Sequence, residues 1–470
     1  MTPSSAALPR TTPEHAGIPL AAVERLVDRL ADEGLDPHAL VIARGGAVAV
    51  EAAWGPYRSD RPALVYSASK TFTSLAIGLL AAEGRLSLDD SAGALLGRLN
   101  PHGITVRHLL TMSTGHSYDQ IDSFRFALDA LLSTAPADAP GSRFAYNSDA
   151  TFALACIVTA VTGERLTDYL RPRLLEPLGI GPRWMAPLHG TEQGFSGYHV
   201  TVDDIARVGI LLGAGGRWHG EQIVPAGYVE ELSHGWADTS GQGDGADWSH
   251  GYGYQVWRSS RGFRLDGAYG QFGVVVPEQD LVIAYQGATS SAQRTLDALW
   301  ALADELEAPG SGPADGGGGA AAGAAVFERD SWSHRALFDP ASDGRIGASG
   351  WSLEAAPGGW ELSLPDGTVI PVGDGYWAVT VLRDESPVTG ELPPQVESPP
   401  VEAGSRVRLS SRGEAASDGS LLAHVVNTTS PHRLLVRREP SGAVSAAWHT
   451  APLQGLTFSA LRVPPEVAAD

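Results

Sequence analysis

A serine and a lysine stand three residues apart in Tyr66-Ser67-Ala68-Ser69-Lys70, and Lys70 is the single lysine of the chain. Lysine and arginine together number 33, so every other strong cation is an arginine. Arginine stays charged at any ordinary pH, whereas a buried lysine can lose its proton and act as a base. On a helix, residues three apart share a face about one turn from each other. A serine so placed beside a neutral amine is the arrangement of a nucleophile and its base. S-x-x-K alone is a common pattern, and one lysine codon surviving in an arginine-preferring chain would also produce it. Its weight therefore rests on the neighbouring motifs.

The elements that must hold this pair are legible in the periodicity. Apolar residues at helical spacing predict a helix over 20–33, and a second follows Ser67 through Phe72, Leu75, Leu79 and Leu80 to a stop at Gly84. Further helices are expected near 105–112, 149–161, 166–176, 202–213 and 293–307. Strands are expected at 39–44 and 47–51 around Gly45-Gly46, and again at 252–257, 272–276 and 281–285. Strands at both ends with helices between predict an α+β fold, one antiparallel sheet flanked by helices and packed against a helical insert.

Composition changes abruptly at 308–325, a Gly/Ala/Pro stretch that reads as a linker. It divides a domain over 1–307 from a C-terminal domain over 326–470. Short runs at 360–364, 368–372, 376–382, 406–409, 421–426 and 433–438, separated by turn residues, predict an all-β sandwich or small barrel there.

Charge and cysteine usage exclude several classes. The formal net charge of −21 repels phosphate backbones and anionic membrane surfaces, so no nucleic-acid or membrane partner is expected. No apolar run reaches the ~18–20 residues of a membrane span. The start lacks a basic segment followed by an apolar one, and a cytoplasmic location is expected. The single cysteine, Cys156, excludes an internal disulfide and lies in an apolar helical run, where an inert core thiol is expected. No Cys/His cluster has zinc spacing and no glycine-rich phosphate loop follows a strand, so neither metal nor cofactor is called for.

With the run from Tyr66 to Ser74, the stretches 83–90, 104–116, 144–148, 161–163, 202–209, 251–257 and 270–282 together resemble the serine β-lactamase and penicillin-binding-protein superfamily. The closer likeness is to its class C-like branch, with family VIII esterases and nylon-oligomer (6-aminohexanoate-dimer) hydrolases. The ordered set covers roughly residues 15–305. The resemblance implies a β-lactamase-like fold in which Ser67 is acylated, Lys70 takes its proton and Tyr146 relays protons to the leaving group and then to water. A tetrahedral intermediate needs two aimed backbone N–H groups, for which the resemblance offers Ser67 and Ala268. His116, Tyr269 and Gln271 are implied to border the cleft as substrate contacts. The alternative for His116 is a loop-stabilising hydrogen bond, and for Tyr269 simple packing.

Two departures narrow the likeness. The Y-x-N element reads Tyr146-Asn147-Ser148, with the Ser148 hydroxyl where an amide would face the lysine. The third motif, a Lys or His followed by Thr/Ser and Gly, is absent: the strand reads Asp266-Gly267-Ala268-Tyr269-Gly270-Gln271, with no cation for a substrate carboxylate. That argues against penicillins and cell-wall peptides and toward small-molecule or peptide esters and amides. Three functions stay open: a serine hydrolase, an acyltransferase or peptide cyclase like the penicillin-binding-type thioesterases, and a non-catalytic binding or scaffold protein. The C-terminal domain is open to capping the cleft, dimerising or holding an acyl chain.

Overall fold

The computed structural model describes residues 7–242, 245–306, 323–338, 344–383, 405–453, 455 and 458–468. Of the linker expected over 308–325, residues 308–322 lie outside the described residues.

Among the described residues, the first sheet has seven strands: β1 (Pro37–Arg44), β2 (Ala47–Gly55), β3 (Trp257–Arg258), β4 (Phe263–Gly267), β5 (Gln271–Val276), β6 (Leu281–Gly287) and β7 (Ala325–Asp330). Their spatial order is β3-β4-β5-β6-β1-β2-β7. N-terminal and C-terminal segments thus meet antiparallel at β1 and β6, with Val41 opposite Ala284. Side chains on a strand alternate between faces. Leu40 and Ile42 enter one core with α1 (Leu20–Asp32) and α5 (Ala292–Leu306). Val41 and Ala43 enter the other, with α2 (Ser69–Ala82), α3 (Ser148–Thr162) and α4 (Val202–Gly213). Both faces are covered by helices, which is why the strands read as nearly continuous apolar runs.

Three local expectations change. The strand expected over 252–257 shrinks to Trp257–Arg258, because Gln255 takes φ +63°. Its amide donates to the carbonyls of Leu109 and Leu110, at 3.2 and 2.8 Å, instead of facing a strand partner. The helix expected over 166–176 turns π-helical after Leu170, where Pro172 has no N–H to donate. The strand β7, which follows the linker, does not join the C-terminal sheet. It pairs in parallel with β2, Phe327 opposite Ala52, so the first sheet is completed from beyond residue 323.

Among the described residues, the C-terminal region forms one nine-stranded sheet: β8 (Arg345–Ile346), β9 (Ser352–Ala356), β10 (Gly359–Ser363), β11 (Val369–Asp374), β12 (Ala378–Arg383), β13 (Arg406–Ala415), β14 (Leu421–Asn427), β15 (His432–Arg438) and β16 (Val444–Trp448). The order is β8-β16-β15-β14-β13-β11-β10-β9, with β12 also on β13. It curls as a half-barrel about its own core of Leu353, Leu409, Val425, Leu434 and Trp448.

The two regions are joined by buried polar contacts. Arg433 on β15 donates Nε and Nη2 to Asp36 Oδ2 and Oδ1 at 2.8 and 2.7 Å, with both side chains fully buried. The Leu64 amide donates to the Thr429 carbonyl at 2.9 Å. Burial disfavours the Asp36 carboxylate, but the adjacent Arg433 guanidinium outweighs it and holds that carboxyl far below the usual range.

Candidate active site

Ser67 lies in a 3-10 turn, Tyr66–Ala68, that runs directly into α2. α2 is apolar almost all round and buried from Ser69 to Leu80, the pattern of a core helix. Its hydroxyls anchor the surrounding segments: Thr71 donates to the Gln255 carbonyl at 2.9 Å and Thr73 to the Gly194 carbonyl at 2.8 Å. A nucleophile at the start of such a helix is fixed by the core beneath it.

Lys70 follows one turn later, 1% exposed, and donates to Ser67 Oγ and to the Phe195 carbonyl, each at 3.0 Å. Its ammonium lies 4.9 Å from the centre of the Tyr146 ring. Burial lowers its pKa to about 7, against the pull of the nearby Asp266 carboxylate, which favours the charged form. Burial raises the Tyr146 pKa, and the nearby Ser67 hydroxyl only partly opposes this. Ser67 and Lys70 are therefore hydrogen-bonded to each other beside the Tyr146 ring, and the amine can hold or release a proton near neutrality.

The end of β4 closes against the Tyr66–Ala68 turn. A Cβ on Gly267 would fall 2.1 Å from the Val65 carbonyl oxygen and 3.2 Å from the Ala68 amide nitrogen, so glycine is required for this approach. The next residue, Ala268, shares with Ser67 the wall of a cavity of about 1020 Å³. Tyr146, Trp248, Trp257, Asp266 and Tyr269 line the same space.

Not every expected residue belongs here. His116 is fully buried away from that wall, its ring held between Thr114 Oγ1 at 3.0 Å and the Thr134 carbonyl at 3.2 Å. It is a loop-stabilising histidine, not a cleft residue. Gln271 is 1% exposed and donates to the Gly287 carbonyl at 2.6 Å, so it braces the start of β5. Ser148 opens α3, and among the described residues no hydrogen bond joins it to Lys70; the Phe195 carbonyl takes that place. Asn147 instead caps α3, accepting from the Ala150 amide at 3.0 Å. Cys156 is half-buried in α3, and burial raises its thiol to about 11. Among the described residues no three His, Cys, Asp or Glu side chains converge as a metal site.

Two features were not read from the sequence. Tyr66, just before Ser67, takes φ +46°, uncommon for a non-glycine residue. Its hydroxyl meets His432 Nε2 at 2.6 Å, and His432 Nδ1 meets the Thr450 carbonyl at 3.0 Å. Burial lowers the His432 pKa to about 3, so the ring is neutral. Its Nδ1–H must donate to Thr450, leaving Nε2 to accept from Tyr66. The C-terminal half-barrel thereby holds the residue that precedes Ser67. Its His449, Thr450 and Ala451 also form part of the cavity wall, and the Tyr269 hydroxyl donates to the Ala451 carbonyl.

Residues 23–307 match the Beta-lactamase family model, and the chain belongs to that family of serine hydrolases. Among particular proteins, it is 27% identical over 263 residues to the 6-aminohexanoate-dimer hydrolase of Paenarthrobacter ureafaciens, spanning 49% of this chain and 67% of that one. The hydrolase EstCE1, described as having promiscuous acyltransferase activity, shares the fold at TM-score 0.50 and 17% identity, over 60% of this chain and 99% of its own. The octameric penicillin-binding protein homologue from Pyrococcus abyssi does so at TM-score 0.50 and 18% identity, over 91% and 99%. This last likeness extends the shared fold beyond the catalytic region.

Proposed function

We propose that this chain is a cofactor-free serine hydrolase that cleaves a small-molecule or peptide-like ester or amide through an acyl-enzyme on Ser67. The observation that carries the reading is a buried amine, brought to about 7, 3.0 Å from a serine hydroxyl that faces a cavity. Lys70 takes the Ser67 proton as Oγ attacks the acyl carbon. The oxyanion then sits between the amides of Ser67 and Ala268, an arrangement in which one donor is commonly worth ~10²–10³ in rate. Tyr146 returns the proton to the leaving group and, in the second half, takes one from water.

Acyl transfer or cyclisation from the same intermediate is the second reading. The cavity of about 1020 Å³, at the upper end of ordinary ligand pockets, has room for an acceptor beside the acyl group. A scaffold role would leave the buried Lys70, with Ser67 and Tyr146 beside it on the cavity wall, without a purpose.

Rapid mixing with a 4-nitrophenyl ester tests the reading. A burst of one nitrophenol per chain is expected, followed by slower turnover. In Tyr146→Phe the steady rate should fall by ~10²-fold or more, the usual worth of a proton-transfer group. Product analysis with an added amine separates hydrolysis from transfer. Turnover without a burst, unchanged in Ser67→Ala, would reject the acyl-enzyme.

A further inference from the structure

The cavity carries one carboxylate that acyl-enzyme chemistry does not use. Asp266 lies on β4 two residues before Ala268 and lines the wall with Phe144, Tyr146, Trp248 and Trp257. Its side chain is 13% exposed. Oδ2 accepts from Arg264 Nε at 2.8 Å, while among the described residues Oδ1 has no hydrogen-bond donor. Arg264 cannot meet a ligand: it is fully buried, donates to the Asp247 and Arg258 carbonyls and to Ser259 Oγ, and packs 4.6 Å over Trp248. Burial pushes the Asp266 carboxyl up, and the Arg264 and Lys70 charges only partly offset this. A carboxylate with one oxygen unpartnered and little exposure is stabilised by an arriving cation.

The surroundings suit such a cation. Trp257 stacks on Tyr146 with ring centres 5.9 Å apart, and Trp248 and Phe144 approach Trp257 edge-on at 6.5 and 5.6 Å. Aromatic faces attract ammonium groups, quaternary ones included. The other wall charges, Glu33 and Arg294, pair with each other at 3.0 Å, and Asp266, though paired with Arg264 through Oδ2, keeps Oδ1 for a ligand.

We propose that the substrate carries an ammonium group, primary or quaternary, within a few bonds of the scissile carbonyl, held by Asp266 against the Trp248, Trp257 and Tyr146 rings. This rests on the hydrolase reading and deepens it by naming the substrate class.

Two isosteric pairs test it: acetylthiocholine against 3,3-dimethylbutyl thioacetate, and the 4-nitrophenyl ester of trimethylglycine against that of 3,3-dimethylbutyrate. After correction for uncatalysed rates, the cationic member of at least one pair is expected to be preferred. Asp266→Asn should lower its kcat/KM relative to that of the neutral isostere by roughly 10- to 100-fold, the order of one charge–charge contact near a protein surface, the effect through Lys70 being common to both members of the pair. No preference in either pair for the wild type overturns the assignment without any variant. An equal loss on both members also overturns it, since Asp266 would then act only through Lys70. Choline binding, read by tryptophan fluorescence, needs no turnover. Saturable binding with Ser67 unreactive to every ester would sink the hydrolase reading and keep the cation site, and absent binding would sink the site alone.

Discussion

Lys70→Arg is expected to lower kcat/KM for an activated ester by at least ~10²-fold, as for loss of a general base, while the protein stays folded. Arginine keeps the positive charge and can still reach Ser67, but it does not release a proton in water's range. The lysine does so because it is 1% exposed and packed between the Tyr146 and Phe195 rings. The groups that face it are Ser67, Tyr146, the Phe195 carbonyl and Asp266, and only Asp266 favours its charged form. In the variant, the introduced guanidinium would pair with Asp266 and hold the serine proton in place. The wild-type pH profile follows from the same lowering. Below about 7 the amine is protonated and idle, and above it the base is free. The rate should therefore rise with pH through about 7 and level off, and Lys70→Arg should abolish that step. Lys70→Met, without a guanidinium to fit, should match it in activity. Near-normal turnover in either variant would remove Lys70 from the mechanism.

Arg433→Met is expected to destabilise the chain by about 3–5 kcal/mol, because it strands the Asp36 carboxylate without its partner in a dry interior. Both side chains are fully buried, and the pair joins the start of β1 to β15 of the half-barrel. The sign with pH is fixed by Asp36, whose carboxyl is held far below its usual value. The pair's contribution is fully present above the ordinary carboxylate range near 4 and is lost only in strong acid. Calorimetry at neutral pH should show the loss in Arg433→Met. The double variant Asp36→Leu, Arg433→Met should recover much of it, since two apolar groups leave no buried charge. A single variant as stable as the wild type would mean that the pair is solvated in solution. Activity reads the same junction, because His432 beside Arg433 holds Tyr66, and His449 to Ala451 wall the cavity.

The parts legible in the sequence were those written in side-chain type over short distances. Ser67 and Lys70 meet because three residues make about one helical turn, and β1 and β6 announce themselves as apolar runs between turns. Tyr146 came from an ordered motif, and the structure puts its ring beside Lys70 on the same cavity wall as Ser67. Residue type misled where polarity is consumed by the backbone. His116 and Gln271 look like cleft residues, yet each spends its side chain on a main-chain carbonyl. The Phe195 carbonyl that binds Lys70 has no sequence signature at all, since every residue carries one. Nor does the left-handed Tyr66, whose support comes from His432, 366 positions away. Asp266 was visible only as the lack of a cation; the structure sets its carboxylate on the cavity wall, with one oxygen on Arg264.

The most direct test of the account is the chemical identity of the acylated atom. Folded protein treated with a fluorophosphonate, digested and mapped by mass, should carry one adduct per chain, on the peptide bearing Ser67, and Lys70→Arg should slow its formation. A folded chain that leaves Ser67 unmodified, or that takes the label elsewhere while ester turnover continues, would contradict it.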